Sequence, residues 1–405
     1  MPTKPRLPRC RAAAVLPLLP LLPLGCGGEA AGSASRWSGT IDTLPGGLVQ
    51  VSNPDRGAWD STTAWRVVEE LRIGTTEGDG PDLFGNVRQV EIDRDGRLWV
   101  LEGQSNEIRV FDAAGRPVRT IGRKGGGPGE FAQPIGMAWS PAGELWVVDP
   151  ANSRISVIDT AGRFRTGLRM LGGFIVMPWP GGFDRGGSFY NFVPDMSGGD
   201  FRLRMVRYDT TLAPLDTLAP PEWQGPEEFF EIAGRVRMGV PFSPGLEWRL
   251  TPDGDFWFVH TGSYELFRVN ARGDTVRRVT QPFEPVAVTG EDVDSAVAGM
   301  EWFTQQGGKI DRSRIPGVKP AVERLLVAED GYLWVEPNTA ERADRGRLFE
   351  VFDPEGRYLG RVRLPFPVRR WTPIIIRGDR FVAVTEDDLE VPFVVRARIV
   401  KPLEL

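Results

Sequence analysis

The side chains able to do chemistry are few and unevenly spread. His260 is the only histidine in 405 residues, and cysteine occurs twice, at Cys10 and Cys26. One imidazole excludes a two-histidine zinc site and any multi-histidine metal cage. His260 could still act as a lone general base. A serine triad would need a presented nucleophile, and no Gly-x-Ser-x-Gly elbow occurs. Among the acids, Glu102 and Asp149 close the related strings LWVLE and LWVVD. Carboxylate ligands of this kind suit calcium or magnesium. The plainer role of an acid at a strand end is to hold the backbone N–H groups of a neighbouring loop. The string DRDG from Asp93 opens like a calcium loop but lacks the later ligands, so it reads as a hairpin turn. GRKGGGPGEF from Gly122 has the glycines of a phosphate cradle without its Gly-Lys-Ser/Thr, and reads as a connecting turn.

The elements that must position these residues repeat. RLWVLE, EIRVFD and RPVRTIG follow Asp95-Gly96; ELWVVD, RISVID and RFRTGL follow Ala142-Gly143. Related sets follow Gly254 and Gly331, and weaker ones begin near Phe183 and Thr372. Short runs of Val, Ile, Leu, Phe and Trp cut by tight glycine turns are successive antiparallel strands. The last copy supplies only three strands. WRVVEELRIG from Trp65 resembles the fourth strand of the first copy, so an N-terminal strand is expected to complete the last blade and remove the open sheet edges. The spacing therefore predicts an all-β, six-bladed propeller with four antiparallel strands per blade over residues 61–405. Two intervals are long and locate insertions at 221–245 and 284–320. The second contains GEDVDSAVAGMEWFTQQ, which predicts a helix capped by Thr289 with Glu291 and Asp292 in its first turn. Trp99, Trp146, Trp257 and Trp334 share one strand position and are expected to pack between blades.

The pattern G-x-L-W-V-x-D followed by R-I-x-V-(F/I)-D-x-x-G resembles NHL-type repeats of six-bladed β-propellers, a group that includes bacterial exported lipoproteins. That resemblance implies that the ends of the second strands, where Glu102, Asp149 and His260 lie, surround one channel mouth. Gluconolactonase-like propellers hold a divalent cation near this axis. A metal reading here would use Glu102 and Asp149, with Asn106, Asn152 or Asn338. The resemblance also implies that both insertions project from the mouth face. Phe229, Phe230, Trp302 and Phe303 then become a ligand-binding lid, or alternatively a self-packed cover for the rim.

The N-terminus reads as a targeting segment. Lys4, Arg6, Arg9 and Arg11 precede a short apolar run that contains three prolines, too short and broken for a membrane span. Its end at Gly25-Cys26 resembles a bacterial lipoprotein signal. The expected organisation is a signal peptide at 1–25, lipidation of Cys26, and a flexible tether over 26–60. The net charge changes from -5 to -9 when the first 25 residues leave, and nothing in the chain forms a basic patch for nucleic acid. Together these features predict an exported propeller in the cell envelope, periplasmic or attached to the outer membrane. Its first functional reading is non-enzymatic ligand binding or scaffolding, at a mouth covered by the insertions. Partners would be a small molecule, a peptide or an envelope protein, and the membrane through the lipid. A divalent-metal hydrolase or lactonase using Glu102, Asp149 and His260, with calcium or magnesium, is the alternative. An envelope protein-interaction module is the third.

Overall fold

The computed structural model describes residues 37–170, 178–195, 202–218, 225, 228–232, 236–340, 346–369 and 372–402. The expected signal peptide, Cys26 and the expected tether up to residue 36 lie outside the described residues, as does part of the first insertion.

Six four-stranded blades form the body; the first five add their strands in sequence order outward from the centre, and the sixth takes its outermost strand from the N-terminal side. Their innermost strands are Val87–Ile92, Gly136–Trp139, Gly182–Phe183, Leu246–Leu250, Val322–Val327 and Ile375–Arg377. Blade 6 closes as the sequence predicts. Arg66–Ile73 pairs antiparallel with Pro392–Val400, in a register that sets Ile73 against Val394 and Val67 against Ile399.

The hairpin turns are built by a recurring Asp-x-x-Gly-Arg string. Asp93, Asp112, Asp159 and Asp353 each accept backbone N–H groups from two and four residues on. The arginine after the glycine folds back on the same carboxylate, as Arg97 does on Asp93 at 2.6 Å. The side chain thus satisfies turn donors that no strand can reach. At Gly115 the glycine is needed twice over. Its φ is +81°, and a Cβ there would lie 2.7 Å from Leu71 Cδ1 on the outer strand of blade 6.

Flat aromatic side chains fill the wedges between blades. Trp99, Trp146, Trp257 and Trp334 are all buried. Trp99 meets Trp139 of blade 2 edge-on at 5.1 Å, and Trp146 meets Phe183 and Phe189 of blade 3 at 5.0 Å.

Residues 37–60 depart from the expected tether. Thr40–Thr43 and Val49–Ser52 form a hairpin, and the latter strand adds in parallel to the outer edge of blade 4 through Val51 and Val279. Val51 is fully buried. Asn53 then ties the segment to blade 5: its Oδ1 accepts from Tyr358 N at 2.7 Å and Trp37 Nε1 at 2.9 Å, and its Nδ2 donates to the Gly356 carbonyl. The small polar composition of this stretch hides a four-residue strand with one buried valine.

The insertions build a small core of their own. Phe229–Ile232 and Val236–Gly239 form a hairpin that, with Val240, packs through Phe230 on Met300 and on Phe303 of helix α2 (Glu301–Gln305), which follows helix α1 (Gly290–Ala298). The single helix expected here is broken at Gly299 and Met300. Its start is capped as predicted: Thr289 and Asp292 exchange side-chain and backbone bonds as a capping box. Lys319 anchors Asp292 at 2.7 Å and holds that carboxyl down at about 2.

Candidate functional site

The acids singled out by the sequence are absorbed by the backbone around them. Glu102 is 1% exposed, and its oxygens accept from Asn86 N, Gln104 N, Ser105 N and Ser105 Oγ. Asp149 is fully buried and accepts from Ala132 N and Gln133 N at 2.9 Å and from Asn152 Nδ2 at 2.7 Å. Arg88 lies near enough to interact with both carboxylates, and its Nη1 donates to the Pro134 carbonyl. Asn106 is buried with φ +56°, and Asn338 donates to the Pro320 carbonyl. His260 stands in blade 4, edge-on to Phe258 at 5.5 Å, and the loop after it is held to the start of blade 5 by Ala321 N donating to the Thr261 carbonyl. Among the described residues, no group of three or more His, Cys, Asp or Glu converges to hold a metal ion.

The four aromatic residues proposed as a lid divide. Phe230 and Phe303 are buried in the insertion core, Phe229 lies under Arg237, and Trp302 is 48% exposed on α2. No described residue of the insertion hairpin or the two helices lines the large cavity of the molecule.

That cavity is the central channel, about 1210 Å³ in volume and lined by the innermost strands of all six blades. Its exposed lining residues, among them Arg94, Asp95, Pro141, Arg185 and Glu329, all sit on the turns that follow those strands or beside them. The channel thus opens on the face opposite Glu102 and Asp149. Each hairpin reverses the chain, so the end of a second strand lies at the other end of its blade from the first turn.

Polar residues interrupt the innermost strands and point to this space. Gln89 stitches blade 1 to blade 2, accepting from Met137 N at 3.0 Å and donating to the Met137 carbonyl at 2.5 Å. Its Nε2 also reaches Glu91 Oε1 at 3.2 Å. Glu91 is 5% exposed, and its Oε2 has no hydrogen-bond partner; Arg377 Nη2 stands 3.6 Å away. Arg377 also pairs with Glu329 at 3.2 Å. Across the channel Arg324, 6% exposed, faces Glu336 at 3.4 Å and keeps an unpartnered Nη2. Trp139 Nε1 is likewise buried and unpartnered. Around the rim, Arg185 joins Asp253 at 2.5 Å and the Glu329 carbonyl at 2.6 Å, linking blades 3, 4 and 5.

Burial raises the Glu91 carboxyl from 4.5 to about 7, against the lowering pull of Arg377 and the Gln89 amide. The folded chain therefore binds this proton more tightly than the unfolded chain. The associated stability is fully present below pH 4.5 and is lost as pH rises through 7. Between pH 5 and 8 the wild-type chain should lose about 2–3 kcal/mol that Glu91→Gln does not lose. Urea denaturation of both proteins at the two pH values measures the difference, and parallel pH curves would refute the assignment.

The family model DUF5128, described as a 6-bladed beta-propeller, matches residues 77–164. No curated protein matches the chain. Among solved structures, a candidate exported protein of Bacteroides fragilis is similar at 15% identity, with 87% of this chain and 100% of that one covered and a TM-score of 0.45. Virginiamycin B lyase of Staphylococcus aureus is similar at 10% identity, covering 83% and 100%, with a TM-score of 0.43. A gluconolactonase of Xanthomonas campestris is similar at 14% identity, covering 76% and 83%, with a TM-score of 0.40. At this level of likeness none of them transfers an activity to the chain.

Proposed function

We propose that this chain is an exported, lipid-anchored propeller that binds a small molecule inside its central channel, entered from the turn face. The reading rests on one observation: a channel of about 1210 Å³ whose lining combines apolar side chains with Glu91, Glu247, Arg249 and Arg324 on the innermost strands. Small-molecule pockets usually measure roughly 300–1,000 Å³ and carry a few convergent polar groups in an apolar wall. Here Leu246, Leu250, Leu326 and Ile376 supply that wall.

Alkylation tests the position of the site. With Cys10→Ser and Cys26→Ser the chain contains no cysteine. Ala138→Cys then places one thiol in the channel wall, and Leu389→Cys places one on a side chain that is 77% exposed. Small molecules that raise the melting temperature should slow alkylation at position 138 and leave position 389 unchanged. Stabilising compounds that protect neither site, or a broad metabolite library that stabilises nothing, would remove the channel from consideration.

The anchor is supported by the Gly25-Cys26 junction and by the absence of any other cysteine after position 10. No helix among the described residues is long and apolar enough to cross a membrane. Cys26→Ser should move the protein from the membrane fraction to the soluble fraction of the cell envelope. One lipid signal gives weak attachment and two give stable attachment, so the shift should be near complete if the N-terminus is multiply acylated. Unchanged membrane association of the variant would contradict the lipid reading.

A further inference from the structure

The hairpin that precedes the ring bears on how an anchored propeller meets its membrane, and the inference rests on the lipid-anchor reading above. Blade 4 is six strands wide, because Thr40–Thr43 and Val49–Ser52 extend it beyond its own fourth strand, Thr275–Thr280. Neighbouring strands lie about 4.7–4.9 Å apart, so Thr40–Thr43 stands roughly 9–10 Å outside the fourth strand. Among the described residues no other blade is widened in this way. When the ring approaches a flat surface edge-on, this hairpin is the part that reaches furthest. Val51 and Asn53 fix it to blades 4 and 5, so whatever holds the hairpin also orients the ring.

All four residues of Thr40–Thr43 are exposed, and so are Leu44, Pro45, Gly46 and Gly47 at the tip. Nine large apolar side chains are exposed among the described residues, and Ile41 and Leu44 are the only two within four residues of each other. From Trp37 to Asn53 the chain carries a single charge, Asp42, although one residue in four is charged over the whole sequence. Charged groups resist transfer out of water, and this stretch has only one to keep wet. The length of chain before the hairpin identifies what covers it. Ten residues, Gly27 to Arg36, separate Trp37 from Cys26. Fully extended, eleven steps reach at most about 36–40 Å. A lipid on Cys26 therefore keeps the hairpin within one short tether of a bilayer. At that effective concentration a contact too weak to recruit a free protein is sufficient.

We propose that the hairpin tip, with Ile41 and Leu44, rests in the headgroup–acyl boundary of the membrane that carries the Cys26 lipid, and holds the propeller on edge. The outermost strand of a blade lies on the circumference of the ring, so this contact sets the channel axis along the bilayer plane. Both ends of the channel then stay open to the aqueous compartment. A ring lying flat would press one of them against lipid.

The test uses the processed, lipidated chain, which has no free thiol: Cys10 leaves with the signal peptide and the Cys26 sulfur carries the lipid. Pro45→Cys at the tip, Thr43→Cys beside it and Val118→Cys are each labelled with nitrobenzoxadiazole. Val118 is exposed on Pro117–Ile121, the outer strand of blade 1, across the ring from blade 4. The proteins are reconstituted into phosphatidylcholine vesicles with and without brominated acyl chains. Labels at 43 and 45 should shift to the blue and lose most of their emission to the bromines, while the label at 118 keeps its spectrum in water. Ile41→Ser with Leu44→Ser should lower the ratio of docked to undocked hairpin about tenfold. Flotation of that variant with the vesicles should not change. Raising the salt to about 0.5 M should leave the quenching in place, because the contact is apolar. Water-like spectra at all three positions, in a protein that floats with the vesicles, would overturn the docking and leave the anchor standing. Equal quenching at 45 and 118 would overturn the edge-on orientation, and quenching abolished by salt would overturn the apolar contact. A chain that mass spectrometry finds unlipidated at Cys26 would overturn the anchor and the docking together.

Discussion

Removing residues 37–74 should leave a chain that no longer melts as one cooperative unit. The deletion takes the outer strand of blade 6 and the hairpin on blade 4 together. Val67 and Ile73 are 7% and 5% exposed in the closed ring, and each contributes about 1.5–3 kcal/mol by burial. The ion pairs of Arg396 and Arg398 with Glu70 go with them, and Asn53 leaves the turn of blade 5. The total is of the same order as the net stability of an ordinary domain, roughly 5–15 kcal/mol. What remains is a nine-residue strand, Pro392–Val400, whose ladder groups face solvent. Such an edge, rich in valine, templates pairing between molecules. The truncated chain should elute as aggregate in size-exclusion chromatography and show no sharp thermal transition by circular dichroism. A peptide spanning residues 64–75 supplied during refolding should restore part of the monomer. A truncated chain that is monomeric and melts within a few degrees of the full chain would show that the ring does not depend on this strand.

Trp334→Ala should cost about 3–5 kcal/mol, the loss expected for a large side chain deleted from a closed core. Trp334 is fully buried where blades 5 and 6 meet. Its ring lies 5.9 Å from Phe381, 6.1 Å from Phe349 and 6.4 Å from Trp65. Phe349 sits on a strand of blade 5, Phe381 on a strand of blade 6 and Trp65 just before the closing strand, so they cannot collapse together into the gap. Trp302→Ala provides the contrast. That side chain is half in solvent, so the change should stay within about 0.5 kcal/mol. Guanidinium denaturation of the two variants gives both values. Equal effects would mean that the wedge between blades relaxes freely, contrary to the packing described here.

Much of this architecture can be read from the sequence because glycine turns recur on one spacing. The four tryptophans, the closing strand and both insertions all follow from that periodicity. Two features escape it, for different physical reasons. The hairpin at 40–52 has strands of four residues and joins blade 4 by a parallel pairing, so no neighbouring sequence copy announces it. The channel lining is spread over six innermost strands, two to five residues from each, and leaves no motif. Its signal is weaker but present: Gln89 and Glu91 within VRQVEI, Glu247 and Arg249 within LEWRL, and Arg324 within VERLLV put charge where a buried strand should be apolar. Glu102 and Asp149, at the ends of the second strands, hold backbone on the other face of the molecule.

The N-terminal segment also sets the order in which the chain can fold. Residues 40–73 are synthesised before the blades, yet their partners are among the later residues to appear. Val51 waits for Val279, Asn53 for Tyr358, and Ile73 for Val394. Blades 1 to 3 can assemble as they emerge, because their strands pair with near neighbours. The leading segment must stay extended until nearly the whole chain is available. Contacts across some 300 residues make this last step slow and leave a sticky intermediate exposed meanwhile. A chain built this way gains most from a chaperone that holds its first residues, and it commits to its native ring only at the end of synthesis.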